Sequence, residues 1–302
     1  KEEFDKINLP RTSKSASDKD YINKVRDIES EKPARYNSDE SKLYEASGCA
    51  GKIAVFAVRL DTYEKPEIKK VFYVGTNNPH FFTEIRKDIL SDFSELPDMC
   101  EYMHKSFFDG AYKYCKDNYL IIKNFGTSFI PTLFNLKNRT DNFLEQLKIL
   151  PSNFSDKFLY LICKLLPNHL PSRIMSYRDK FDHYMIIVAS DSSIEEVDSL
   201  LDKKYKKKDD IDYFECSLEE GNSILLHRLV AGGAPSRSKM FNPNSSGNIL
   251  AFDVALPRNN NFWDEIINNE ILENMEESFK MGHFICQVFH WDFLVKKGID
   301  KE

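Results

Sequence analysis

In the stretch "ASGCAG", Gly48 and Gly51 bracket two small residues, and this is a place in the 302-residue chain where residue type and spacing could serve a ligand. Glycine lacks the Cβ that holds a backbone at a distance, so the N–H and C=O groups of such a turn can meet a bound molecule directly. An ordinary turn into the apolar run Ile53 to Leu60 would have the same sequence, so the motif alone decides nothing. Arg228, in "LLHRLV", carries a guanidinium that can grip a carboxylate in a two-point fork. A salt bridge on a helix surface is the commoner use of a helical arginine. His283 and His290 lie seven apart in "GHFICQVFH", which reads as part of one strand. That odd offset sends the two rings to opposite faces unless a bulge brings them together, and packed histidines with satisfied hydrogen bonds are an equally ordinary outcome. Arg258 follows "FDVALP" at the end of another strand.

The elements that must position these residues are legible in part. Lys52 to Leu60 and Lys69 to Gly75 have the β-branched, apolar character of buried strands. "NNPHFFTEIRKDILSDF" opens a helix with Pro79 in its first turn and Phe82, Ile85, Ile89 and Phe93 on one face. Beyond His183 the reading is a strand "HYMIIVA", a serine-capped helix "SSIEEVDSLLDKKY", a strand "DYFEC", and a helix opened by the capping box Ser217-x-x-Glu220. A strand "NILAFDVAL", an amphipathic helix from about Asn260 to Phe279 and one long strand "GHFICQVFHWDFLV" complete it. Alternating elements of this length predict an α+β fold, an antiparallel sheet covered by helices on one face.

Residues 1 to about 41 are polar and charge-dense, with Tyr21 to Glu31 a short helix at most. The chain starts on Lys1 and stops within "VKKGIDKE", and we expect it to be a piece of a longer polypeptide. With 41% apolar residues and 13% aromatics it can build real cores. Its longest apolar runs fall far short of the roughly 20 residues a membrane-spanning helix needs. Six cysteines without CxxC pairing suggest a reducing, cytosolic setting.

The net charge of −6 conceals an asymmetry: His104 to Lys180 holds twelve Lys/Arg against six Asp/Glu, which leaves −12 on the rest. A basic segment in an acidic protein points to an anionic partner for that segment alone. Within it, strand signals fade and short amphipathic helices are broken by Pro151, Pro167 and Pro171. Phe154, Phe158, Leu161, Ile162 and Leu165 form one apolar face, flanked by Lys157 and Lys164. Two readings stay open: a helix lying in a lipid headgroup layer, or a helical subdomain with a solvated basic surface. The run "DKKYKKKDD" from Asp202 is a solvated helix end, not a nucleic-acid patch.

Taken together, "PARYNSDESKLYEASGCAGKIAVFAVRLDTY", "VFYVGTN", "TEIRKDIL", "LFNLKNRTD", "LPSRIMSYRDK", "LLHRLVAGGA" and "MGHFICQVFHWDFLVKKGID" resemble the respiratory, quinone-linked D-lactate dehydrogenases of bacteria from about Tyr21 onward. The resemblance implies a vanillyl-alcohol-oxidase-type flavoprotein with a split FAD-binding domain, a cap over the flavin and a helical membrane-binding insertion. It divides the chain into the end of the first FAD-binding segment (1–61), the first part of the cap (62–103), the basic insertion (104–180) and the remainder of the cap (181–302). It makes Ser47, Gly48, Cys49, Gly51 and the backbone near Val55 the expected FAD neighbours, although the related "GSEGTLG" turn has an acidic residue that this chain lacks. The glycine-rich phosphate cradle and the Glu-His pair of the family are expected in flanking sequence.

Oxidising a 2-hydroxy acid requires a cation for the carboxylate, a base for the hydroxyl proton and a flavin for the hydride. Arg228 is the candidate carboxylate clamp by its guanidinium chemistry, and Arg258 stands at a strand end where related enzymes place substrate contacts, although the lysine those relatives carry just before this motif is Ala251 here. "GHFICQVFH" is similar to the "GHxGDGNxH" strand of related dehydrogenases, which makes His283 and His290 substrate-site candidates. With Ile-Cys-Gln-Val in place of the GDGN core, no metal is expected. The implied function is D-lactate oxidation to pyruvate, with electrons passing through FAD to quinone at the cytoplasmic face of the inner membrane. Residues 104–180 would hold an anionic phospholipid surface, with no nucleic acid involved. The alternatives are an adhesion and cap module inactive on its own, or a related dehydrogenase for another 2-hydroxy acid.

Overall fold

The computed structural model describes residues 18, 20–36, 54, 56, 64–146, 154–206 and 208–299. The Gly48–Gly51 turn therefore lies outside the described residues, as does the expected strand at Lys52 to Leu60 apart from Ala54 and Phe56, both exposed.

Seven strands form one antiparallel sheet: β1 (Lys69–Thr76), β2 (Met99–His104), β3 (His183–Ser190), β4 (Ile211–Glu215), β5 (Ser246–Ala255), β6 (Met275–His283) and β7 (Val288–Lys296), in the order β4-β1-β3-β2-β6-β7-β5. The described helices are α1 (Tyr21–Arg26), α2 (His80–Asp92), α3 (Lys105–Tyr114), α4 (Lys116–Phe125), α5 (Ile130–Gln146), α6 (Phe154–Leu165), α7 (Ser172–Lys180), α8 (Ser192–Lys204), α9 (Leu218–Ala231), α10 (Ala234–Phe241) and α11 (Asn269–Leu272). The seven described strands come from residues 69–104 and 183–296, and the elements described between them are helices.

Helices cover the sheet on both faces, not on one. Phe72, Val74, Tyr102, Met185 and Ile187 point into a core with α2 and α8, built from Phe82, Ile85, Ile89, Val197 and Leu201. The alternate residues Tyr73, Met103, Tyr184, Ile186 and Val188 point the other way, against Phe107, Phe108 and Ala111 of α3 and Ile224 of α9. A strand buried on both faces loses its alternation and becomes continuously apolar, which is why "HYMIIVA" was so easily read as a strand. The extra layer comes from α3, the start of the basic segment, which folds back onto the sheet.

Three local expectations are corrected. Residues 260–279 hold only the short α11 before β6 begins, and 282–295 is not one strand but the end of β6, a turn and β7. The turn carries its positive φ (51°) on Gln287, so it offers none of the glycine or asparagine cues by which a hairpin is recognised. The cap of α8 is Asp191, at φ 47° and without a side-chain cap bond, while Ser193 bonds back to the Ser190 carbonyl. The capping box on α9 is present in full: Ser217 accepts from the Glu220 N–H, and Glu220 accepts from the Ser217 N–H.

Candidate functional site

On the α9 side of the sheet, Glu101 sits in the middle of β2 with its side chain 5% exposed. Its strand neighbours Tyr102 and Met103 are core residues, and a carboxylate held among them requires partners. It has two. His283, paired with Glu101 across the β2–β6 ladder, places Nδ1 2.9 Å from one carboxylate oxygen, and Arg228 of α9 places a terminal nitrogen 2.5 Å from the other. The Arg228 Nε, also buried, has no hydrogen-bond partner.

The β6–β7 turn solves the problem posed by the odd offset. Met281 pairs with His290 and His283 with Val288, so the two histidines stand diagonally on the same face with ring centroids 5.1 Å apart at 88°. His290 Nδ1 bonds Asp253, its ladder partner on β5. The cluster thus has a buried floor of Glu101 and Arg228 and an open rim of the two half-exposed histidines and the exposed Asp253. In each dyad a carboxylate holds Nδ1 as the donor, which leaves Nε2 with a free lone pair able to take a proton.

Arg228, His283 and His290 therefore converge, and Arg258 does not join them. Arg258 is buried elsewhere, donating to the backbone carbonyls of Lys24 and Lys32 (2.9 Å) and to the Ser30 hydroxyl, with Asp27 at 3.5 Å. Its guanidinium ties α1 and the chain that follows it to the body, apart from the cluster. Ser47, Gly48, Cys49, Gly51 and Val55 lie outside the described residues. Sequence reasoning missed Glu101 and Asp253; the available signal for Glu101 was a lone acid inside the short, otherwise mostly apolar and aromatic run "MCEYMH". Among the described residues no group of three or more His, Cys, Asp or Glu side chains is arranged to hold a metal ion.

A second surface belongs to the basic segment. Helix α6 turns Tyr160 and Cys163 inward, with Tyr160 stacked on Phe241 at 4.1 Å, and leaves Phe158, Leu161, Ile162 and Leu165 exposed, Leu165 at 83%. Phe125, Phe134, Leu136 and Phe143 on α4 and α5 are exposed as well. Of the segment's cations, Lys105, Lys123, Lys137, Arg173, Arg178 and Lys180 pair with carboxylates. Lys113, Lys116, Arg139, Lys157 and Lys164 make no ion pair among the described residues, and Lys113, Lys116 and Lys164 line a cleft of about 370 Å³ beside Tyr160 and Leu166. A buried hub anchors these helices: Asp117 takes both Arg237 of α10 and Lys137 of α5, and Asp156 of α6 bonds Lys137 at 2.6 Å. No helix among the described residues is long and apolar enough to cross a membrane.

Comparison with known proteins follows this geometry. The family model described as "D-lactate dehydrogenase, membrane binding" matches residues 71–302. A quinone-dependent D-lactate dehydrogenase of Escherichia coli K12 is 45% identical over 285 residues, covering 94% of this chain and 50% of that protein. One from Haemophilus influenzae is 41% identical over 282 residues, again 50% of its length, and one from Corynebacterium glutamicum is 34% identical over 271 residues. The chain spans about half the length of the curated relatives it matches. Among solved structures, a 4-ethylphenol oxidase from Gulosibacter chungangensis in its isoeugenol complex covers 76% of this chain, and 40% of that chain is covered, at 11% identity and a TM-score of 0.37, a likeness too loose to carry an argument.

Proposed function

The chain belongs to the membrane-binding D-lactate dehydrogenase family, and from that premise we propose that it is the cap and membrane-adhesion part of a peripheral flavoenzyme. That enzyme oxidises D-lactate to pyruvate and passes electrons through FAD to quinone at the cytoplasmic face of the inner membrane. The FAD neighbours we propose by resemblance are Ser47, Gly48, Cys49, Gly51 and Val55. Bound FAD would supply the hydride acceptor.

The observation that carries the reading is the His283–Glu101–Arg228 array. Removal of hydride from the 2-carbon of a hydroxy acid must be matched by loss of the hydroxyl proton. His283 takes that proton at Nε2. Glu101 fixes the tautomer through Nδ1 and stabilises the imidazolium as it forms, and Arg228 gives the buried carboxylate its second partner. His290, held by Asp253, stands 5.1 Å from His283 and orients the substrate at the open rim. Arg228 acts here through Glu101, to which one of its terminal nitrogens is bonded.

The test is His283→Gln in the full-length protein with D-lactate and a quinone analogue. A general base contributes about 10²- to 10⁴-fold, so kcat falls by that order while flavin content is unchanged, and the acid limb of the pH–rate profile disappears. A variant with kcat within threefold of the parent, and the same acid limb, removes His283 from the role.

A further inference from the structure

On the opposite face of the same strands lies a cavity that the cluster does not use. Tyr102 and His104 alternate with Glu101 along β2, Lys280 alternates with Met281 and His283 along β6, and Trp291 follows His290 on β7. With His183 and Trp263 they enclose a cavity of about 90 Å³, room for about three waters at ~30 Å³ each or for one small organic ion. We propose that this cavity is a binding site for a small monocarboxylate, held by the Lys280 ammonium and the His104 Nε2–H.

Lys280 is the first reason. Its side chain is half-buried, and burial holds its ammonium below the ordinary lysine range, yet among the described residues it makes no hydrogen bond and no ion pair. A chain that withdraws a cation from water ordinarily gives it a partner. Asp264, also on the wall, is the nearest opposite charge; burial pushes its carboxyl up, and it forms no salt bridge with Lys280.

His104 is the second reason. Its Nδ1 accepts the Ser106 backbone N–H at 3.0 Å, so the proton of the neutral ring is on Nε2. Burial pushes this imidazole down to about 4, and His183, whose Nδ1 is 2.9 Å from the Tyr102 hydroxyl, is also lowered to about 4. Near neutral pH both rings carry no charge. The cavity therefore offers the Lys280 ammonium, offset in part by the Asp264 carboxyl on the same wall, plus neutral donors, among them the Trp291 indole N–H, which bonds no described residue. Such a set suits a single carboxylate and gives too little charge for a phosphate dianion. The aromatic walls of Tyr102, Trp263 and Trp291 accept the short carbon chain.

Trp263 and Trp291 are the two tryptophans of the chain, so fluorescence excited selectively at tryptophan reports on this place. The 302-residue chain is titrated with acetate, with D-lactate and with chloride at constant ionic strength. A saturable change is expected with acetate and D-lactate at concentrations where chloride gives none. Lys280→Met and Lys280→Gln weaken that response at least tenfold with the thermal midpoint retained. Lys203→Met, at an exposed lysine of α8 outside both sites, leaves it unchanged, which ties the loss to Lys280. No saturable response from the parent chain, an equal response to chloride, or an undiminished response in both Lys280 variants would overturn the proposal.

Discussion

Glu101 shows how much one side chain can decide. It is nearly inaccessible and it binds two cationic partners, so replacing it by leucine strands the Arg228 guanidinium, itself only 15% exposed. Breaking a buried pair from one side costs about 3–5 kcal/mol, and because His283 is 44% exposed and can turn to water, the lower end applies. Urea unfolding of Glu101→Leu should show a loss of about 3 kcal/mol, and a change under 1 kcal/mol would mean the array contributes little to stability. Histidines make a second prediction at this scale. Burial lowers His104 and His183 to about 4 and His227 to about 3, against an ordinary value near 6.5. The folded rings stay neutral while the unfolded chain takes up protons, so their contribution is intact above about pH 6.5 and is lost as pH falls toward 4. Each contributes a slope of up to about 1.4 kcal/mol per pH unit. The urea midpoint should fall steadily between pH 6.5 and 4.5; a flat midpoint would contradict the neutral assignment. At this scale the sequence was half-readable. His283, His290 and Arg228 were marked by type and context, but their shared partner was not, because a carboxylate's burial is decided by residues more than a hundred positions away. Arg258 was equally opaque: the loop it bonds lies near Ser30, more than two hundred positions away.

Elements were clearest where a local rule and the tertiary environment agree. The capping box of α9, the apolar stripe of α2 and the doubly buried β3 are examples. They were obscure where an ordinary residue takes an unusual conformation, as Gln287 does in the β6–β7 turn, or where a short strand such as β2 runs directly into a helix. Helix was also the wrong period for Met275–His283, whose charged and apolar residues fit either pattern until the partner strand is known. Gly282 is the pressure point of this hairpin. A Cβ there would lie 2.5 Å from Cδ1 of the fully buried Phe289 and 3.0 Å from the Val288 carbonyl. Neither neighbour can retreat without parting β6 from β7. Gly282→Ala should cost roughly 1–3 kcal/mol, the usual range for overpacking, and should also separate the His283 and His290 rings. An alanine variant with the parent's urea midpoint would show that the strands have slack.

For the whole molecule, the charge asymmetry was legible and its use was only partly so. Six cations of the basic segment pair with carboxylates, several of them on the acidic body, which glues the helices to the sheet and leaves Lys113, Lys116, Arg139, Lys157 and Lys164 for an external partner. At roughly 1 kcal/mol for each cation near an anionic surface, these offer about 5 kcal/mol, to which the exposed face of α6 adds burial. Flotation with anionic vesicles should weaken as salt rises, and Lys113→Glu with Lys164→Glu should weaken it at low salt. Equal flotation with neutral vesicles at high salt would remove the electrostatic part. The staple at Arg258 bears on biosynthesis. Arg26 reaches the Leu90 carbonyl at 2.8 Å, and Arg258 closes on Lys24, Ser30 and Lys32 from the far side of the sequence. A six-residue helix cannot persist alone, so α1 leaves the ribosome without its latch. At about 5–20 residues per second, the arginine that secures it arrives on the order of 10–50 s later, and for that interval this stretch of the nascent chain is open to chaperones and proteases.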